Sequence, residues 1–247
     1  MRIGMVISGG DVTGINNFIF QMGRMAQADM VLFNGGIPGL LANRHQDVSQ
    51  RDLMDFSIVS IPVMQSGRTD KKLVRSEYEL IARQLKSLRI DVLVMAGGDG
   101  SLQFLHTLSE FGINCFGVGM TIDNDVFGSD YTIGFSTACE QVLKEVAKLR
   151  NTGRALTGRV FMVELLGGYC GELTLQSAIK SNADFALIPE CQIPTPQLAE
   201  RITQRLAAQN SVVILCSEGY TREYSPGFQG AIDTLIKRLE PMIGVRI

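Results

Sequence analysis

Asp99 sits within Gly97-Gly98-Asp99-Gly100-Ser101, and Asp123 and Asp125 share the segment Thr121-Ile122-Asp123-Asn124-Asp125. Glycine lets a backbone approach phosphate oxygens closely and reach positive φ, so that successive N–H groups converge on an anion. A carboxylate among such donors repels a bare polyphosphate unless a divalent cation lies between them, and hard oxygen ligands hold magnesium in this way. Asp99 is therefore the expected metal-side carboxylate, with helix capping as the alternative. Of the later pair, one carboxylate can take a proton from an acceptor hydroxyl while the other meets the metal or positions the loop, and Asp123 is assigned as the base. Alternate residues of so short a turn would face one side, although paired aspartates in turns also serve as backbone caps.

Two further glycine-rich segments, Ser8-Gly9-Gly10-Asp11 and Gly117-Val118-Gly119-Met120-Thr121, also end strand-like runs. Ligands of open parallel sheets bind beyond the carboxyl ends of the strands, where loops lead into helix N-termini. Three such loops in register with strand ends outweigh a reading of each as a tight turn only. Arg68, in Gln65-Ser66-Gly67-Arg68-Thr69, offers fixed donors to a phosphate whose charge shifts during transfer. The alternative is an exposed loop arginine.

The elements that must position these residues read as strands over Arg2 to Ser8, Met30 to Asn34, Val92 to Ala96, Cys115 to Val118, Val160 to Leu165, Phe185 to Ile188 and Val212 to Cys216. Between them the spacing predicts helices over Ile15 to Ala28, Leu73 to Leu88, Ser101 to Phe111, Ser136 to Leu149, Gly171 to Lys180, Pro196 to Ala208 and Gly227 to Leu239. This rhythm predicts an α/β fold of two lobes, each a largely parallel sheet flanked by helices. The boundary is expected near residue 137: a nucleotide-binding and catalytic lobe over 1–137, an acceptor-binding lobe over 138–247.

The chain has 247 residues, 45% hydrophobic and 19% charged, with a formal net charge of −2. A core of that content excludes disorder, and the charge gives no general attraction to nucleic acid or anionic membrane. No nucleic-acid or membrane partner is expected. The five cysteines form no CxxC pair, so neither a zinc site nor a disulfide framework is expected, and they read as buried free thiols in a reducing compartment. Without a long apolar leader, a cytoplasmic location is expected.

The ordered set Ser-Gly-Gly-Asp, Gly-Gly-Asp-Gly-Ser and Thr-Ile-Asp-Asn-Asp, followed by Tyr131-Thr132-Ile133-Gly134-Phe135-Ser136-Thr137-Ala138, resembles the phosphofructokinase family. The resemblance runs along the whole chain and is strongest through residue 140. It implies that Gly10, Arg68, Gly98, Gly100 and Ser101 line the phosphates of ATP, that Asp99 holds Mg2+, and that Asp123 is the base with Thr121 and Asp125 beside the acceptor. A glycine at the position of Gly100 accompanies ATP use in that family, where aspartate accompanies pyrophosphate use.

On the acceptor side the resemblance implies roles for Arg159, Glu164, Glu218 and Arg246, with Arg159 reaching a sugar phosphate, often across a subunit boundary. Two departures stand out. Leu166-Gly167-Gly168-Tyr169-Cys170-Gly171 replaces a Met-Gly-Arg-His-Ala-Gly type segment, so Gly168 stands where the family has an arginine on the transferring phosphate. Met120 stands where ATP-using relatives tend to have glycine, and is expected to pack against a less charged acceptor. Past Arg246 and Ile247 the family continues through a Gly-x-x-Gln-Arg-Gly-Gly segment, so the usual cations for fructose 6-phosphate are expected to be incomplete within this chain. A homo-oligomer is expected, a partner covering exposed edges. Three readings follow: a kinase for another small-molecule hydroxyl (a sugar, sugar phosphate, polyol or nucleoside), an authentic 6-phosphofructokinase, or a non-catalytic nucleotide-binding homologue.

Overall fold

The computed structural model describes residues 1–10, 12–56, 61–69, 71–221 and 231–247. Asp11 and the expected helix start at Gly227 lie outside the described residues. The chain divides into two compact units: Met1–Thr121 with Val126–Gly134, and Ile122–Asp125 with Phe135–Ile247.

The first unit contains β1 (Arg2–Ser8), α1 (Ile15–Ala26), β2 (Asp29–Phe33), α2 (Gly36–Leu41), β3 (His45–Val48), α3 (Gln50–Phe56), α4 (Arg75–Ser87), β4 (Val92–Gly97), α5 (Asp99–Ser109), β5 (Cys115–Thr121) and β6 (Ile133–Gly134). The strands form one sheet in the order β3-β2-β1-β4-β5-β6, parallel except for the β2–β3 pair. β1 is covered on both faces, which is why Ile3 to Ile7 reads as a continuous apolar run. Its side chains alternate: Met5 and Ile7 join Ile15 and Ile19 of α1, while Val6 joins Ile81 and Leu85 of α4 and Leu105 and Leu108 of α5. The chain leaves β1 toward β2 on one side and later returns to β4 on the other. The carboxyl ends of β1 and β4 are thus the point where the strand order reverses, the usual ligand position in such sheets.

The second unit contains α6 (Phe135–Ala155), β7 (Arg159–Leu165), α7 (Glu172–Ser181), β8 (Phe185–Leu187), α8 (Thr195–Ala208), β9 (Ser211–Ser217), a 3-10 turn (Glu218–Thr221) and α9 (Ala231–Ile243). Its sheet is parallel, in the order β7-β9-β8. The central strand alternates: Val212, Ile214 and Cys216 pack with Leu198, Ile202, Leu235 and Leu239 of α8 and α9, and Val213 and Leu215 with Val146 and Ala178 of α6 and α7. No helix among the described residues is long and apolar enough to cross a membrane.

Each expected strand is present, but β3, β6, α2 and α3 are additions. β3 (His-Gln-Asp-Val) buries only Val48 and β6 has two residues, so neither carries an alternation that could be read. α2 is Gly-Ile-Pro-Gly-Leu-Leu, poor in helix formers, and burial of Ile37 and Leu40 against the β2 and α4 side chains outweighs that propensity.

The expectation of five buried thiols is corrected. Cys139 and Cys216 are buried, Cys115 and Cys170 half-buried, and Cys191 exposed. Burial, with the charge of Glu164 adding to it, pushes the Cys216 thiol up to about 12, and burial pushes Cys115 up to about 11. Neither is a thiolate at pH 8 while folded, and the thiolate is the nucleophile. Alkylation of the folded protein at pH 8 is therefore expected to label Cys191 first and to reach Cys216 only after denaturant is added, as peptide mass spectrometry would record.

Candidate active site

β1 and β4 end side by side, Ser8 paired with Gly97. A Cβ on Gly97 would run into the Ser8 carbonyl and lie 2.8 Å from the Ser101 side chain, so only glycine allows this approach. The Ser101 hydroxyl Oγ donates to the Ser8 carbonyl at 3.4 Å. Gly98 is the N-cap of α5 and offers no side chain; the Ser101 N–H donates to the Gly98 carbonyl at 3.0 Å, and the Asp99 and Gly100 N–H groups at the start of the turn face the helix N-terminus, where an anion is favoured. Asp99 is the first helical residue, two positions before the expected start at Ser101, and does not cap the helix. Its exposed carboxylate accepts a hydrogen bond from Gln103 Nε2 at 2.6 Å. A Cβ on Gly100 would meet nothing within 4 Å, so the space above this turn is open.

Arg68 arrives on a segment tied to the ends of β1 and β2. Val63 N–H donates to Asn16 Oδ1 at 3.0 Å and Gln65 N–H to Asn34 Oδ1 at 3.0 Å. Gly35 N–H donates to the Gln65 carbonyl at 2.8 Å and Gly9 N–H to that of Gly67 at 3.2 Å. These bonds carry the Arg68 guanidinium to within 2.9 Å of where a Cβ would stand on Gly10. On the far side, Thr121 ends β5 with its Cβ 4.0 Å from the corresponding position on Gly98, its carbonyl accepting from Thr132 Oγ1 at 2.7 Å. Gly10, Arg68, Gly98, Asp99, Gly100, Ser101 and Thr121 thus all lie along the carboxyl ends of β1, β4 and β5.

A cavity of about 380 Å³ adjoins the first turn of α5, lined among others by Thr69, Lys71, Lys72, Tyr78, Gly100 and Gln103. The Tyr78 ring stacks on Phe104 at 5.3 Å and Phe111 at 5.5 Å, making one wall rigid. None of these residues except Gly100 was singled out from the sequence. The signal was there in part, since Lys71 and Lys72 closely follow Arg68 and Gln103 stands one turn after Asp99. The expectation for Met120 is corrected: it is 3% exposed and packs in the core beside Ile7, Ile15 and Ala96, because alternate residues of β5 face that side of the sheet.

The residues present suit Mg2+. Asp99 supplies an exposed hard oxygen at the N-terminus of α5, and no group of three or more His, Cys, Asp or Glu able to hold a metal occurs among the described residues. An ion held here would draw its remaining ligands from phosphate and water, as magnesium does.

In the second unit, Ile122 packs against Phe135, Cys139 and Leu173, which anchors the turn that carries Asp123 and Asp125. Asn124 between them is left-handed (φ 55°), so the simple alternation expected of the pair does not hold. Asp123 is half-buried and Asp125 exposed. Burial, with the charges of Glu190, Asp125 and Glu172 adding to it, outweighs a backbone hydrogen bond from Glu172 and pushes the Cys170 thiol up.

The loop before α7 is held by carboxylates. Glu218 Oε1 accepts from Gly167 N–H at 3.1 Å and Gly168 N–H at 2.7 Å, and Glu190 Oε1 from Gly171 N–H at 2.7 Å. Gly168 is left-handed (φ 57°). Glu164 lies near the carboxyl end of β7, paired in register with Cys216 of β9. Arg159 opens the same strand, roughly 16 Å away at the strand rise per residue, so the structure does not bring it to Glu164 and Glu218. Arg246 is exposed beyond α9, between Val245 and Ile247, which pack into the core.

A family model described as Phosphofructokinase matches residues 2–246. The ATP-dependent 6-phosphofructokinase of Teredinibacter turnerae is 33% identical over a 249-residue alignment, covering 99% of this chain and 74% of that protein. That of Blochmanniella floridana is 35% identical over 81% of this chain and 63% of that protein. Among solved structures, phosphofructokinase from Saccharomyces cerevisiae superposes with a TM-score of 0.81 at 25% identity, over 96% of this chain and 36% of that one. A pyrophosphate-dependent phosphofructokinase from Nitrosospira multiformis does so with a TM-score of 0.81 at 18% identity, over 99% and 67%. The chain therefore spans only part of each relative's length. With the match running from residue 2 to residue 246, and the glycine loops placed where the strand order reverses, the chain belongs to the phosphofructokinase family.

Proposed function

We propose that this chain transfers the γ-phosphoryl group of ATP, with Mg2+, to a hydroxyl of a small molecule. The observation that carries this reading is the pairing of Ser8 with Gly97 at the strand-order reversal, with Arg68 lying against Gly10. There the Asp99 and Gly100 N–H groups at the α5 N-terminus bind the donor phosphates, and Arg68 stabilises charge that moves toward the leaving oxygen. Asp99 holds the metal side of the donor, and the adjoining cavity, of a size that suits a small ligand, takes the nucleoside. When bound, Mg2+ neutralises charge on the donor phosphates. Asp123 takes the proton of the acceptor hydroxyl, and Thr121 and Asp125 flank it. ATP consumption in a broad panel of sugars, polyols and nucleosides tests the reading; no turnover with any of them would sink it.

Authentic 6-phosphofructokinase activity is the second reading, favoured by the names of the relatives at 33–35% identity. Arg159 stands at the end of β7 opposite Glu164, as a residue serving a neighbouring subunit's site would. In this reading a homo-oligomer completes the acceptor site, and Arg246 is a further candidate contact. Gly168 offers a direct probe. Its Cβ would meet nothing within 4 Å, and its left-handed φ costs an ordinary residue about 1 kcal/mol, so Gly168→Arg should fold. The restored guanidinium is expected to raise kcat/KM for fructose 6-phosphate about tenfold, a fraction of the ~10²–10³ that a preorganised donor supplies. A coupled assay for fructose 1,6-bisphosphate measures it.

A further inference from the structure

We propose that Gln103 is a positioning residue that couples the cavity beside α5 to the metal carboxylate. The proposal rests on the reading of Asp99 as the magnesium-side group. Asp99 and Gln103 stand four residues apart on one helix, where side chains meet. Gln103 Nε2 donates to Asp99 Oδ2 at 2.6 Å. The reverse amide orientation would set a carbonyl against a carboxylate, so the bond itself assigns the nitrogen.

Asp99 is exposed and its N-cap neighbour is a glycine, so no capping bond limits its rotamers. The Gln103 amide supplies that limit, leaving the second carboxylate oxygen for a cation. The same side chain lines the cavity with Lys71, Lys72, Tyr78 and Gly100. With Nε2 engaged by Asp99, Oε1 is available to accept from a group in the cavity. A nucleoside there and a cation at Asp99 therefore meet opposite ends of one amide, and each favours binding of the other by the same factor.

Partners that orient a metal ligand typically account for 10–100-fold in metal affinity, and this exposed bond belongs at the lower end. The test uses the whole chain, Mn2+ as the probe ion and a non-hydrolysable ATP analogue. Free Mn2+ is read by electron paramagnetic resonance, and metal-free analogue binding by calorimetry in chelator. Gln103→Met keeps the length and helix propensity and removes the donor; Gln103→Glu sets a like charge beside Asp99. Gln103→Met is expected to weaken Mn2+ uptake in the presence of analogue about tenfold, with metal-free analogue affinity falling by a clearly smaller factor, and Gln103→Glu, whose added carboxylate attracts the cation, to weaken uptake less than Gln103→Met. Unchanged Mn2+ uptake in Gln103→Met would overturn the proposal. So would an equal loss of metal-free analogue affinity, which marks an ordinary ligand contact. If the wild-type chain takes up no Mn2+ with analogue, the donor reading falls first and this proposal with it; if only the variants stay unchanged, the donor reading stands.

Discussion

Asp123→Asn is expected to lower kcat about 10³-fold, within the range for loss of a positioned general base, while leaving binding of the metal-nucleotide complex within about twofold. Asparagine keeps the shape of the side chain and caps a backbone as well as aspartate does, but its amide cannot take a proton. The substitution therefore separates two readings of a half-buried aspartate in a turn. A residue that only orders the turn would tolerate it, and kcat would change little. A base would not, and kcat and kcat/KM would fall together. Steady-state ADP formation with the best acceptor of a panel, set beside Mn2+-analogue binding, makes the measurement. The anchoring of the turn by Ile122 against Phe135, Cys139 and Leu173 keeps the rest of the segment in place in the variant.

Asp184→Ala is expected to destabilise the second unit by about 3 kcal/mol. The Asp184 side chain is 1% exposed and accepts from Val213 N–H at 2.9 Å, Gln209 Nε2 at 2.8 Å, Arg205 Nε at 3.0 Å and Arg150 Nη2 at 3.5 Å. One carboxylate thus ties α6, α8 and the central strand β9 together ahead of β8. Truncation leaves the Val213 N–H without its partner beside the core strand, while the two arginines, 31% and 52% exposed, can turn to water. That escape is why the figure sits at the low end of the 3–5 kcal/mol typical of a broken buried pair. Burial alone would push the Asp184 carboxyl up, but the hydrogen bonds from Val213, Gln209 and Arg205 and the charge of Arg150 outweigh it and hold the carboxyl below its usual range. A depressed folded-state value stabilises the protein above the unfolded value of about 3.9, and that contribution is lost as pH falls through the folded value. The gap between wild type and Asp184→Ala in urea unfolding should therefore be full at pH 7 and narrow below about pH 4.

Both effects depend on residues of different visibility. Asp123 stands in a segment whose composition announces chemistry, whereas Asp184 is one acidic residue ahead of a short strand and has no local mark. The same contrast runs through the donor block. Asp99 was legible because glycine and aspartate are costly in the middle of an apolar pattern and so draw notice. Gln103 was not, since glutamine at an exposed helix position is ordinary and its role comes from what lies one turn away. Met120 misled for a related reason: beside two glycines of a loop-like segment it read as a site residue, while the continuation of β5 through Thr121 turned it into the core.

By itself the sequence determined the seven strands with continuous apolar character, the α/β class and the glycine segments that end β1 and β4. Each of these is written in local pattern, through side-chain periodicity and the conformational range of glycine. The third glycine segment, Gly117 to Thr121, reads as a loop but lies within β5, whose ladder with β4 carries Gly117 and Gly119. Only the tertiary structure decided that β4 lies beside β1 and β5 beyond it, which turns separated segments into one row of Ser8, Gly97 and Thr121. Only it paired Arg68 with Gly10, bound Glu218 to the Gly167–Gly168 loop and set Arg159 at the far end of β7 from Glu164. Strand order, long-range hydrogen bonds and the end of a strand on which a residue falls depend on packing between distant segments. No local spacing encodes them.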